Sequence, residues 1–180
     1  MFMKKKISNP EFKVMQGLMK LVDVAHPYVP ERAKIFGIRP GMTVVGYGCG
    51  PGRYAVEFAC LVGEGGKVYA VDLIEIALRE AEKRLKKNNT ANVELVLAEG
   101  YASGIPAGAA DMVCAIDMFH HVDAVPFLQE TERIAKPDGV LILSGGHMTR
   151  SRVKKEVAAS GLWLIAEESH HFIKYKKGNT

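Results

Sequence analysis

This sequence predicts an α/β fold, a doubly wound sheet that is mostly parallel with an antiparallel C-terminal strand. Three observations predict it. From Met42 onward, short apolar runs rich in β-branched residues alternate with segments of helical period. That is the pattern of a parallel sheet with helices on both faces. The runs lack strict apolar–polar alternation, as expected of strands covered on both sides. The last two runs lie only a few residues apart, too close for a crossover helix, which suits an antiparallel pair.

The elements follow in order. Glu11 to Val24 places Phe12, Met15, Leu18, Met19 and Val22 at three- and four-residue spacing, the signature of an amphipathic helix. His26-Pro27 and Val29-Pro30 end it, and a short helix is expected around Glu31–Phe36 before the turn at Pro40-Gly41. Thr43–Tyr47 reads as the first strand, and Arg53–Val62 as the helix after it. Lys67–Val71 is the second strand; Ile74–Lys87 is the second helix, with Ile74, Ala77, Leu78, Ala81 and Leu85 on one face. Val93–Leu97 and Met112–Ile116 are the third and fourth strands, and Val125–Ala135 the next helix. Gly139–Leu143 is the fifth strand, and Arg150–Ser160 a helix stopped by Gly161. Leu162–Ala166 and His171–Tyr175 close the chain as strands.

At 180 residues the chain suits one domain. Residues 1–41 are expected to form a helical lid, 42–148 the ligand-binding core, and 149–180 a helix and strand pair. Apolar residues make up 48% and charged residues 24%, a globular balance that excludes a disordered or fibrous chain. No apolar run approaches transmembrane length and no secretory leader is read. The cysteines Cys49, Cys60 and Cys114 form no CxxC, so a reducing, cytoplasmic setting is expected. Net charge is +4, with basic ends on an acidic centre, since residues 1–41 carry 8 Lys and Arg against 3 acids. No aromatic residues interleave with a basic stripe, so nucleic acid is the less favoured partner, though not excluded.

In a doubly wound sheet the ligand sits beyond the carboxyl ends of the strands, near the reversal of strand order. The loop after the first strand reads Gly46-Tyr47-Gly48-Cys49-Gly50-Pro51-Gly52. Four glycines let the backbone turn tightly and approach a ligand closely, with the free N–H groups of the next helix presented to it. Gly50-x-Gly52-x-x-Ala55 with Asp72 also satisfies a loose dinucleotide pattern, weak support for NAD.

The string Gly48-Cys49-Gly50-Pro51-Gly52 after Val44-Val45 is more specific. It resembles the first motif of the class I S-adenosylmethionine-dependent methyltransferases. Lys67–Asp72 looks like the second motif, whose acid grips the ribose hydroxyls. Glu99-Gly100-Tyr101-Ala102 looks like the segment flanking the adenine. Asp111 to Val122, ending His120-His121-Val122, resembles the fourth-strand motif of the ubiquinone-biosynthesis-like (type 11) branch. Arg133 to Gly139 resembles that branch's next motif. The resemblance implies a Rossmann-like, seven-stranded sheet and S-adenosyl-L-methionine as cofactor. It implies cofactor contacts from Gly46, Tyr47, Gly48, Cys49, Gly50, Gly52, Asp72, Leu73, Glu99, Gly100, Tyr101 and Asp117.

Two residues depart from the family pattern. Gly46 stands where an acid usually helps position the methionine end, and Tyr101 where an acid usually meets the adenine amino group. Either Glu99 substitutes for the latter or Tyr101 stacks on the adenine. A charge-assisted hydrogen bond contributes roughly 1.5–3 kcal/mol, so losing two would weaken binding about a hundredfold or more.

Methyl transfer is an in-line displacement in which the protein holds the partners and sometimes removes a proton. His120 and His121 are the candidate catalytic residues, since neutral imidazole is a suitable base near pH 7. A purely structural role for them remains the alternative. His147 is a candidate for the acceptor pocket. No metal site is expected, because adjacent histidines on an extended stretch point apart. After the fourth strand the Asn/Asp-Pro-Pro-Tyr tetrad of amino-group methylating enzymes is absent, and there is no Pro-Cys pair. That shifts the expected acceptor to a small molecule, with no membrane partner. Without an inserted cap the pocket is either shallow or completed by a second subunit, so a homodimer stays open. A non-catalytic cofactor-binding subunit is the rival reading, motivated by Gly46 and Tyr101.

Overall fold

The computed structural model describes residues 28–178. The helix expected over Glu11–Val24, and most of the expected lid, lie outside these residues. Helix α1 spans Tyr28–Lys34, a little earlier than the sequence predicts. Strand β1 (Thr43–Tyr47) leads to α2 (Arg53–Val62), β2 (Lys67–Asp72) to α3 (Glu75–Lys87), and β3 (Val93–Leu97) to β4 (Ala110–Ala115). A 3₁₀ turn at Phe119–His121 precedes α4 (Ala124–Ile134), which runs straight into β5 (Ala135–Leu143). Helix α5 (Arg150–Ser160) and the strands β6 (Trp163–Glu168) and β7 (Ile173–Lys177) follow.

The seven strands form one sheet in the order β3-β2-β1-β4-β5-β7-β6. The β1–β2, β1–β4, β2–β3 and β4–β5 pairs are parallel. β7 is antiparallel to both β5 and β6, so it alone runs against the sheet, as the sequence predicts. Strand order reverses between β1 and β4, because the chain first winds outward to β3 and then returns to the other side of β1.

Successive residues of β1 face opposite layers. Val44 packs with Phe58 and Val62 of α2, while Val45 and Tyr47 join Phe127 and Leu128 of α4. Helices α1–α3 therefore cover one face and α4–α5 the other. Phe36, just after α1, is buried against Phe58 and Phe172, with ring centroids 6.2 and 5.2 Å away.

Strand β5 begins at Ala135 rather than at Gly139, and its register with β4 shifts between Ala110 and Met112. The chain approaches so closely here that a Cβ on Gly139 would lie 2.9 Å from the Ala110 carbonyl oxygen. β4 ends one residue earlier than the sequence predicts, because the backbone turns left-handed at Asp117 (φ 57°).

Gly52 ties the glycine loop to helix packing. It has φ 75° and precedes α2, and a Cβ there would lie 3.0 Å from the Cβ of Ala81 on α3. Gly52→Ala should therefore cost roughly 1–3 kcal/mol, from the left-handed backbone together with overpacking. A urea-unfolding midpoint unchanged from wild type would contradict this packing.

Candidate active site

The cleft opens at the reversal of strand order, between the chain segments leaving β1, β2 and β4. It encloses about 200 Å³. Its floor is the loop Gly48–Pro51, where Gly48 and Gly50 have φ 71° and 52°. The Cys49 N–H donates to the Val71 carbonyl (2.9 Å), so β2 pins the loop as it leaves β1. Burial and the neighbouring Asp72 carboxylate push the Cys49 thiol well up, which keeps it protonated and inert as a nucleophile.

Asp72 ends β2 and is 7% exposed. Its Oδ2 accepts the Gly50 N–H at 2.8 Å and its Oδ1 accepts the Ile74 N–H at 3.0 Å. Burial nevertheless raises its pKa above the ordinary aspartate value, the backbone N–H groups of Gly50, Ile74 and Leu73 opposing the rise only in part. A buried carboxylate destabilised in this way at a cleft floor is a candidate ligand-binding group.

The opposite wall comes from the end of β4. The Asp117 N–H donates to Ser144 Oγ (2.8 Å), and that hydroxyl donates back to Asp117 Oδ1 (2.6 Å). Ser144 follows β5, so two strand ends hold this acid. Asp117 Oδ2 pairs at 2.9 Å with Arg32, which α1 delivers almost completely buried. Arg32 also donates to the Tyr28 hydroxyl (2.7 Å) and the His171 carbonyl (2.7 Å).

Beyond Asp117, the rings of His120 and His121 lie 3.8 Å apart, and His147 stands 5.1 Å from His120. Only His121 of the three lines the cleft. Burial lowers the pKa of both His120 and His121, and the neighbouring imidazoles add to the effect. Both are therefore neutral near pH 7. Apolar side chains, Ile116, Met118 and Val122, line the same end, beside Tyr28 and Tyr54. Among the described residues, no group of three or more His, Cys, Asp or Glu is arranged to hold a metal ion.

This geometry can be set beside known proteins. Residues 45–143 match the methyltransferase domain family. A ubiquinone biosynthesis O-methyltransferase from Thiobacillus denitrificans is 31% identical over 175 residues, covering 94% of this chain and 70% of that protein. This chain belongs to the class I S-adenosyl-L-methionine-dependent methyltransferases, in their type 11, ubiquinone-biosynthesis branch. A ubiquinone/menaquinone biosynthesis C-methyltransferase from Escherichia coli is 31% identical over 109 residues, but the chain spans only 43% of its length. An S-adenosylmethionine-dependent methyltransferase from Aquifex aeolicus is 27% identical and superposes with TM-score 0.70, over 81% of this chain and 87% of its own. A structure from Methanococcus maripaludis, 19% identical, superposes with TM-score 0.81 over 98% of this chain and 96% of its own, which speaks for the fold alone.

The cofactor of this methyltransferase is S-adenosyl-L-methionine, and the weaker dinucleotide reading of the glycine loop falls away. The residues present fit that cofactor. The Cβ direction of Gly50 meets nothing within 4 Å, so the loop presents bare backbone to the cleft. Asp72 lies beneath it, and Tyr47, Gly48, Cys49, Leu73 and Asp117 line the same space.

The other residues named from the sequence stand apart. Gly46 lies inside β1, its Cβ direction facing the Phe58 ring at 3.5 Å. Gly52 serves the packing of α2 on α3. Glu99 and Ala102 bridge each other around a tight turn at Gly100, and Glu99 points to solvent. Tyr101 is packed into the core, its hydroxyl accepting the Asp123 N–H and its carbonyl accepting the Tyr47 hydroxyl, both at 2.7 Å. Tyr101 is not among the residues lining the cleft. His120 stands behind His121, with its Nδ1 buried and without a hydrogen-bond partner among the described residues. Sequence reasoning missed Arg32, Tyr28 and Tyr54, which carry no local motif.

The histidine pair gives stability a pH dependence. Folding holds both imidazoles below their unfolded values, near 6.5, so the unfolded chain binds more protons in acid. Their contribution is present above about pH 6.5 and is lost as pH falls through the depressed folded values. The melting temperature should drop from pH 7.5 to 5.5, and the drop should shrink in His120→Asn/His121→Asn. An undiminished drop in the double variant would place the acid-sensitive groups elsewhere.

Proposed function

We propose that this methyltransferase methylates a small-molecule acceptor at the β4–β5 end of the cleft, with His121 as the base. The observation that carries the reading is the His121 imidazole on the wall of the same cleft that Asp72 and the glycine loop floor, where burial lowers its pKa and favours the neutral form. S-adenosyl-L-methionine supplies an activated methyl group on a sulfonium, which needs no further activation from the protein. The protein's task is then to orient the acceptor and to take up its proton where the accepting atom carries one.

Each group has a distinct task in this scheme. Asp72 receives the ribose hydroxyls, and the bare backbone at Gly48–Gly50 allows close approach. Ile116, Met118 and Val122 exclude water beside His121, favouring an acceptor with an apolar or aromatic body. The Thiobacillus and Escherichia relatives are named for methylation on oxygen and on carbon in quinone biosynthesis. Either acceptor atom loses a proton, so a base at His121 suits both.

Two measurements test this reading. Asp72→Ala should weaken S-adenosylmethionine binding by roughly 1.5–3 kcal/mol in calorimetric titration, the loss of charge-assisted hydrogen bonds. Unchanged affinity would remove Asp72 from the ribose site. In a screen of phenolic and quinol acceptors, His121→Ala should lower kcat by about 10²–10⁴ while cofactor affinity holds within a few-fold. Equal losses of binding and turnover would make His121 a structural residue.

A further inference from the structure

A second cavity, of about 190 Å³, opens beside the cleft and has no task in the scheme above. It lies at the same edge of the sheet, where β5 ends and β7 begins, since Leu143 and Ile173 are paired there. Asp117 lines both spaces, so they adjoin at the end of β4. Their linings differ in kind. The cleft ends on Ile116, Met118 and Val122 beside His121, whereas the second cavity is edged by Arg32, Arg150, His170 and His171.

The charges around this cavity do not cancel. Among the described residues that line it, Asp117 is the acid, and Arg32 and Arg150 are the fixed cations. Asp117 is already engaged, with Oδ2 on Arg32 at 2.9 Å and Oδ1 on Ser144 Oγ at 2.6 Å. Glu168 stands 3.7 Å from Arg150 but is held by Lys154 at 2.9 Å. A positive charge is therefore left over on the Arg150 side. Helix α5 begins at the same rim, and Thr149 makes no side-chain cap, so the N–H groups of its first turn add to that charge. Arg150 is fixed in place, because its Nη2 donates to the Ser169 and His170 carbonyls at 2.5 and 2.9 Å. Arg32 has an unmet demand of its own. Its Nη1 serves the Tyr28 hydroxyl and Asp117, and its Nη2 the His171 carbonyl. Its Nε is buried and has no hydrogen-bond partner among the described residues. A buried donor left without an acceptor is unfavourable. Two arginines, a helix start and an orphaned donor around one cavity together suit an oxygen-bearing anion.

We infer that this cavity is the subsite for a carboxylate on the methyl acceptor, with the exposed Arg150 and the buried Arg32 as its cations. The acceptor is then an acid with an apolar or aromatic body. This rests on the acceptor site proposed at His121 and adds the chemical class of its occupant. The end of β4 lies one to two strand spacings from the β5–β7 edge, about 5–10 Å across the sheet. The carboxylate and the accepting atom therefore sit at opposite ends of a body about one ring long.

The test pairs hydroxybenzoates with hydroxybenzamides of the same ring pattern, so that each pair differs in charge at one end. In wild type the KM of each acid should lie about tenfold below that of its amide, the gain from a charge-assisted contact. Titration of the same pairs into the S-adenosylhomocysteine complex reads that preference without turnover. Arg150→Gln should abolish the difference by raising the values for the acids, and Arg150→Lys, which keeps the charge, should retain part of it. A merely structural role for Arg150 would shift both members of a pair alike. No acid–amide difference in either measurement, or a difference that survives Arg150→Gln, overturns the carboxylate subsite. Selective binding of the acids without methylation would sink the His121 scheme and leave the subsite standing. Methylation of acids and amides at equal KM would do the reverse.

Discussion

β1 is paired in parallel on both sides, with β2 along five residues and with β4 along three. All three chains must therefore turn at the same edge of the sheet, and they must turn in different directions because strand order reverses at β1. The cleft is the gap this leaves. A loop filling that gap with side chains would close it, whereas Gly48 and Gly50 turn the chain within two residues and leave the backbone bare. The position of the site is thus a consequence of topology, and its openness a consequence of two left-handed glycines.

The polar groups around the gap divide between the two sides of β1. On the β2 side, Asp72 joins loop to strand through the Gly50 N–H and is destabilised by its own burial. A ligand offering two hydroxyl donors relieves that destabilisation without displacing the backbone bonds. On the β4 side the charges are balanced in advance, because Arg32 and Asp117 form a pair that reaches from α1 to the strand end. One side of the cleft gains a missing interaction when a ligand arrives; the other holds its acid ready in fixed orientation. The apolar end near Met118 and His121 then keeps both imidazoles neutral by excluding water.

Much of this was legible in the sequence where the determining pattern is local. The helices at Arg53–Val62 and Arg150–Ser160 and the strand at Val93–Leu97 begin and end where periodicity and breakers place them. The glycine loop and Asp72 were legible because their chemistry lies within about 25 residues of chain. What was not legible depends on long-range packing. Arg32 and Asp117 meet across 85 residues, and Arg32 lies in a short helix with no motif. Tyr101 resembles a cofactor position, yet its hydroxyl reaches the Asp123 N–H and draws the ring into the core. The early start of β5 is equally hidden, since it shows only where Ala135 pairs with Ala110 on β4.

Gly46, Phe58 and Asp117 form one connected choice. The Cβ direction of Gly46 enters the layer occupied by Phe58, which packs with Phe36 and Tyr54 at ring separations of 6.2 and 5.6 Å. A carboxylate at position 46 would be buried against those rings, where an unpaired charge is strongly unfavourable. That layer also seats Phe36 immediately after α1, and α1 is what carries Arg32 to the strand ends. With glycine at 46 the aromatic layer closes and α1 docks. On the neighbouring strand, a left-handed turn at Asp117 places the acid paired with Arg32 on the cleft wall. Glycine at 46 and the Arg32–Asp117 pair are in this way linked through the aromatic layer that seats α1.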